Sequence, residues 1–151
     1  LEPVDAGKLL RESIMGFYQI LEKQSLSVEI HIPEQPCMVM ADLDGLERIF
    51  YNFFQNTVRY AEHTFTVQLE IVGKWVDLIF ENDASGINET DVSRIFERFY
   101  MNDSARSQGN TGLGLTIARQ LTEKMGGSLS AQLLEKSGRR YLQLLCKLPI
   151  I

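Results

Sequence analysis

Asn52, Asn56 and Arg59 stand at i, i+4 and i+7 in the run from Asp42 to Ala61, DLDGLERIFYNFFQNTVRYA. At helical spacing they share one face, while Leu43, Leu46, Phe50, Phe53 and Thr57 share the opposite one. A carboxamide oxygen is a neutral, hard ligand suited to Mg²⁺, and a guanidinium pairs with phosphate. Tyr60 follows directly. In isolation such a face is more readily read as the solvated side of an amphipathic helix, so its meaning depends on what the chain places opposite it.

Two other stretches supply candidates. Asn82-Asp83-Ala84-Ser85-Gly86-Ile87 is a turn of small and polar residues after an apolar run, and Gly109-Asn110-Thr111-Gly112-Leu113-Gly114-Leu115 is a glycine-rich loop that opens a helix. Glycines let backbone N–H groups approach an anion closely, and a helix N-terminus favours phosphate. The loop lacks the Lys-Ser/Thr end of a P-loop and does not follow a strand, so neither standard phosphate fingerprint applies.

The elements that must hold these stretches follow from periodicity. Asp5 caps an expected helix from about Ala6 to Gln24, with Leu10, Ile14, Phe17 and Leu21 as its apolar stripe. Ser27–Ile32 alternates as a half-buried strand that leaves His31 outward, and Met38–Ala41 reads as a short strand before Asp42 caps the central helix. Phe65–Ile71 and Trp75–Phe80 form a hairpin about Gly73-Lys74, with Trp75 expected to pack. A short helix is expected from Glu89 to Phe96. Another runs from Gly112 to Met125 and is stopped by Gly126-Gly127. Ser128–Leu134 and Tyr141–Leu148 form the last hairpin. The sum is an α+β fold, a two-layer α/β sandwich with a mixed, largely antiparallel sheet and three main helices on one face. It is not a βαβ array. Met101–Thr111 is rich in turn formers and is expected to be mobile.

The 151 residues fit one domain, with 44% hydrophobic and 23% charged residues, as in ordinary globular proteins. The net charge of −5 and the absence of a basic stripe argue against a nucleic-acid surface. Cys37 and Cys146 lie far apart among apolar residues, which reads as two buried free thiols. The sequence has no apolar run long enough to span a membrane and no signal peptide. Starting at Leu1, it has the look of a piece of a longer protein.

Taken together and in this order, the motifs resemble the catalytic ATP-binding domain of sensor histidine kinases, within the superfamily that includes gyrase, Hsp90 and MutL and shares the Bergerat-type fold. Asn52–Tyr60 resembles the N box and Asn82–Ile87 the first Gly box. Ile95-Phe96-Glu97-Arg98-Phe99-Tyr100 resembles the F box, and Gly112-Leu113-Gly114-Leu115 the second Gly box. The resemblance implies that Asn56 with Asn52 holds Mg²⁺ on the phosphates of ATP, that Arg59 replaces the usual Lys as a phosphate contact, and that Tyr60 sits beside the adenosine. Gly86 and Ile87 would form the base pocket, Met101–Thr111 the ATP lid, and Gly112 and Gly114 the lid hinge and phosphate-facing helix end.

Departures from the family pattern are informative. Asn82 stands where Asp usually reads the adenine amine; its amide oxygen accepts the same bond without charge assistance. Ala84 replaces a glycine. Met101 replaces a lid-side Arg, leaving Arg98 or Arg106 to supply that charge. Asn52 stands where the superfamily's ATPases carry a water-activating Glu. An amide is no base at pH 7, which favours phosphoryl transfer over hydrolysis.

The acceptor histidine of the family lies on a helical dimerisation hairpin, and neither His31 nor His63 has its setting. The resemblance therefore implies a monomeric catalytic half. Its partners would be the dimerisation domain of a homodimeric parent and a downstream response regulator. The domain would be cytoplasmic, with the parent anchored in the plasma membrane. Two alternatives remain at this stage: a degenerate scaffold that keeps only the fold, and an anti-sigma-type serine kinase. If Asn82 is the adenine reader, Asn82→Asp keeps or raises ATP affinity in calorimetry; a large loss would show that this turn is misaligned.

Overall fold

The computed structural model describes residues 1–100 and 113–151. β1 (Glu2–Asp5) leads into α1 (Ala6–Lys23), followed by β2 (Ser27–His31), β3 (Met38–Ala41) and α2 (Leu43–Tyr60). The hairpin β4 (Thr64–Val72) and β5 (Trp75–Asp83), the short α3 (Glu89–Arg94), α4 (Gly114–Lys124) and the hairpin β6 (Ser128–Lys136) and β7 (Arg139–Pro149) complete it. The main sheet has the order β2-β4-β5-β7-β6, antiparallel except for the parallel pair β2–β4. β1 and β3 form a separate antiparallel pair. The mixed two-layer sandwich expected from the sequence is the fold observed.

Local chemistry sets the helix starts. Asp5 accepts from the Lys8 amide and also from the Cys37 amide, so one carboxylate caps α1 and ties it to the segment before β3. Asp42 accepts from the Gly45 amide at 2.9 Å. Asn88 and Asp91 form a reciprocal capping box on α3.

The core between helices and sheet is aromatic. Phe50, Phe53, Phe54, Phe65 and Phe80 are fully buried. Phe80 lies at 4.8 Å from Phe53 and 5.3 Å from Phe54, ring centre to ring centre, both edge-on. These contacts clamp α2 to the middle of β5. Cys37 and Cys146 are buried free thiols, as expected.

Some expectations fail for positional reasons. β2 is an edge strand: Val28 and Ile32 pack partly against the core, but Ile30 is 46% exposed, so the strand is less buried than its alternation suggested. Trp75 opens β5 opposite Pro149 and is 39% exposed rather than packed in the core. Leu43 begins α2 at the surface. The short β1, with Pro3 inside it, carries too little alternation to be seen in sequence.

Gly126 adopts φ +81 past the end of α4, as the helix stop requires. Gly127 is needed for a different reason. A Cβ there would lie 2.0 Å from the Lys147 carbonyl oxygen, where α4 turns directly onto β7. Gly127→Ala is expected to cost about 2–3 kcal/mol and to lower Tm by roughly 5–10 °C. Gly16→Ala, whose Cβ meets nothing within 4 Å on α1, is expected to gain about 0.5–1 kcal/mol. Scanning calorimetry of the two variants checks the contrast.

Candidate nucleotide site

α2 buries more than its aromatic face. Asn56 is only 3% exposed, yet neither its Oδ1 nor its Nδ2 has a hydrogen-bond partner among the described residues. Asn52 Nδ2 and Arg59 Nε are likewise buried and unpartnered among the described residues. Buried polar groups are nearly always paired, and each unpaired one costs about 1–3 kcal/mol. Four such atoms on one side of one helix mark a surface built for something other than its own fold. The guanidinium of Arg59 lies 5.9 Å from the Tyr60 ring centre.

α4 begins against this surface. A Cβ on Gly114 would lie 3.7 Å from Asn52 Cγ and Oδ1, so the second glycine stretch and the amide pair are neighbours. The N-cap of α4, Leu113, makes no side-chain cap bond, and Leu115 is buried. The positive end of the α4 dipole is thereby presented beside Asn52. Thr116 Oγ1 donates to the Phe96 carbonyl at 2.8 Å and Arg119 lies 4.9 Å from the Phe96 ring centre, which holds the segment after α3 against α4.

The third wall comes from the end of β5. Val76, Leu78, Phe80 and Asn82 face inward in turn, and Asn82 is 2% exposed. Its Nδ2 donates to the Asp83 carbonyl at 2.9 Å, leaving the amide oxygen as its acceptor. Asp83 points the other way and serves the fold. Its carboxylate accepts from the amides of Glu62, His63 and Thr64 at 2.9–3.1 Å and lies 2.9 Å from His63 Nδ1. Burial alone would raise its pKa, but these donors together outweigh burial and hold it below the usual carboxylate range. The adjacent Asn-Asp pair thus divides its labour: Asn82 toward the helices, Asp83 fastening the end of α2 to β5.

After β5, Ala84 and Ile87 are buried and Gly86 is exposed. A Cβ on Gly86 would meet no described atom within 4 Å. Arg98 is exposed in the segment after α3. Tyr100 donates to Asp91, with the Arg94 guanidinium 4.6 Å from its ring centre, and its hydroxyl is pushed up to about 12, first by that bond. Phe99 is 66% exposed with φ +63. Met101, Arg106, Thr111, Gly112 and the expected lid lie outside the described residues.

Residues 41–149 match the family described as Histidine kinase-, DNA gyrase B-, and HSP90-like ATPase. The chain belongs to that family. Over 133 residues it is 32% identical to the sensor histidine kinase YcbM of Bacillus subtilis (strain 168), covering 85% of this chain and 43% of that protein. It therefore spans less than half the length of that relative. The solved structure of the mycobacterial sensor histidine kinase MprB superposes with a TM-score of 0.81 at 25% identity, covering 99% of this chain and 98% of that one. The nucleotide-free catalytic domain of histidine kinase ThkA gives a TM-score of 0.83 at 20% identity over 97% and 93% of the two chains, a likeness of fold.

Sequence reasoning missed the role of Asp83 and overlooked Arg140. Arg140 donates from Nη1 to the Ile87 carbonyl at 2.8 Å from 53 positions away. Only the position of Asp83 at a strand end, just before a turn, could have drawn attention to it.

The lowered pKa of Asp83 fixes a sign. Its contribution to stability is complete above the ordinary aspartate value of 3.8 and is lost as pH falls through the lower folded value. Asp83→Asn is expected to lower stability at pH 7 by about 2 kcal/mol and to flatten the fall in stability below about pH 4. Urea unfolding at stepped pH reads both; parallel pH profiles in the two proteins would refute the assignment.

Proposed function

We propose that this chain is the ATP-binding catalytic domain of a sensor histidine kinase, binding Mg²⁺-ATP for transfer of its γ-phosphoryl group to a histidine on a separate dimerisation domain. The observation that carries the reading is the row of buried, unpartnered polar atoms on Asn52, Asn56 and Arg59 beside the start of α4. Their donor set fits the ligand: amide oxygens for the cation, a guanidinium and a helix start for the phosphates. Family membership and the sensor-kinase relatives support the same conclusion.

When bound, Mg²⁺-ATP supplies the phosphoryl group and the divalent charge that offsets its phosphates. The chain's own part is to bind, orient and withhold water. Asn56, with Asn52, would hold the metal. Arg59 and the first turn of α4 at Leu113, Gly114 and Leu115 would take phosphate, with Arg98 or Arg106 adding charge. Tyr60 would lie beside the adenosine. Asn82 would accept from the exocyclic amine of adenine, and Ala84, Gly86 and Ile87 would shape the base pocket. Asn52 is neutral where a hydrolytic site would need a base, so ATP is held for another acceptor.

The partners we propose are the phosphoacceptor helices of the parent protein, acting as a homodimer, and a response regulator downstream. Among the described residues no helix is long and apolar enough to cross a membrane. We place the domain on the cytoplasmic side of a membrane-anchored parent.

The test combines this domain, ATP labelled on the γ-phosphate and the parent's helical hairpin. Label is expected on histidine, lost in acid and retained in alkali. Acid-stable label would instead indicate a serine kinase, and no ATP binding at millimolar nucleotide would indicate a scaffold. Asn56→Ala is expected to abolish Mg²⁺-dependent binding with Tm no more than about 2 °C below wild type, because it removes two buried, unpartnered polar atoms and no hydrogen bond among the described residues.

A further inference from the structure

The loop Ala84–Ile87 has two sides. One continues the inward row that ends in Asn82. Behind the other lies a surface cavity of about 370 Å³ lined by Glu62, Ser85, Arg139 and Arg140 among others. Ala84 and Ile87 pack into the core on the inward side, but on the cavity side no side chains back the loop, so there the polar bonds that reach it decide where it sits.

Those bonds converge on Arg140. The carbonyl of Arg140 accepts from the Ala84 amide at 2.9 Å, extending the β5–β7 ladder one step past Asp83 and Tyr141. Its guanidinium Nη1 donates to the Ile87 carbonyl at 2.8 Å. One residue therefore grips both ends of the loop, with its main chain at the start and its side chain at the finish. Glu135, directly opposite Arg140 across β6–β7, lies 3.8 Å from Nη2 as a loose, exposed ion pair. A separate pin at Ser85, whose amide and hydroxyl donate to Glu62 Oε1 at 2.6 and 2.5 Å, holds the middle.

We infer that Arg140 is a positioning residue for the nucleotide base: it fixes Ala84–Ile87 at the height at which Asn82 and Ile87 can meet adenine, without touching the base itself. The role rests on the reading of this loop as the base-binding wall. A planar guanidinium suits it because one nitrogen can donate to Ile87 while another faces the Glu135 carboxylate at ion-pair distance. A side chain of similar length without a donor would leave the Ala84 ladder bond intact and release the Ile87 end.

The experiment pairs Arg140→Met with Arg140→Lys in this chain. It reads ATP affinity by calorimetry with Mg²⁺ present, and backbone amide exchange in the absence of nucleotide. Arg140→Met is expected to weaken ATP binding about tenfold, equivalent to about 1.4 kcal/mol. It should also speed exchange at Ser85, Gly86, Ile87 and Asn88 while leaving α2 and the central strands unchanged. Arg140→Lys, which keeps a cationic donor, is expected to stay within about threefold of wild type. Unaltered ATP affinity in Arg140→Met overturns the proposal. So does faster exchange throughout the sheet, which would mean general destabilisation, or an Arg140→Lys variant no better than Arg140→Met. Wild-type protein that binds no ATP would defeat the nucleotide reading instead, and the exchange measurement would still report whether Arg140 holds the loop.

Discussion

The structure depends on a helix that spends stability on one side and recovers it on the other. Asn56 is enclosed with both ends of its amide unmatched among the described residues, and Asn52 and Arg59 add two more such atoms. At about 1–3 kcal/mol for each group, this burden is a large share of the 5–15 kcal/mol that ordinarily separates a folded domain from its unfolded chain. It is tolerable because the opposite side of α2 carries Phe50, Phe53 and Phe54 against Phe80, all fully buried. The aromatic face is what permits the polar face to be left unmatched among the described residues.

The remaining elements are arranged to keep that polar face at a fixed distance from the other walls. Asp83 gathers three backbone amides just past α2, so the helix end and the strand end move together. Asn82 precedes it and faces the other way, on the wall adjoining the amide pair. The start of α4 lies beside Asn52, where a Cβ on Gly114 would make ordinary van der Waals contact at 3.7 Å. Gly127 lets α4 fold straight back onto β7, setting the helix against the sheet at its far end.

Much of this was legible in the residues. The i, i+4, i+7 spacing placed Asn52, Asn56 and Arg59 on one face because helical geometry leaves no choice, whereas the strand expected at Trp75–Phe80 runs on to Asp83 and carries Asn82 on its inward row. What stayed hidden was relational. Nothing local distinguishes Asp83 from Asn82 as the structural partner until the amides of Glu62, His63 and Thr64 arrive around it. Arg140 reads as one more surface cation in a hairpin until Ile87 is brought to it. The exposure of Ile30 and Trp75 was missed for a similar reason: periodicity reports which residues share a face, not whether a helix covers it.

The strand order also bears on how the domain is made. β7 lies between β5 and β6, yet it follows both in the chain. As the chain emerges from the ribosome, β5 would wait with one edge open until the β6–β7 hairpin slots alongside. The loop after β5 would then be fastened last, since Ala84 and Ile87 both bond to Arg140 of that hairpin.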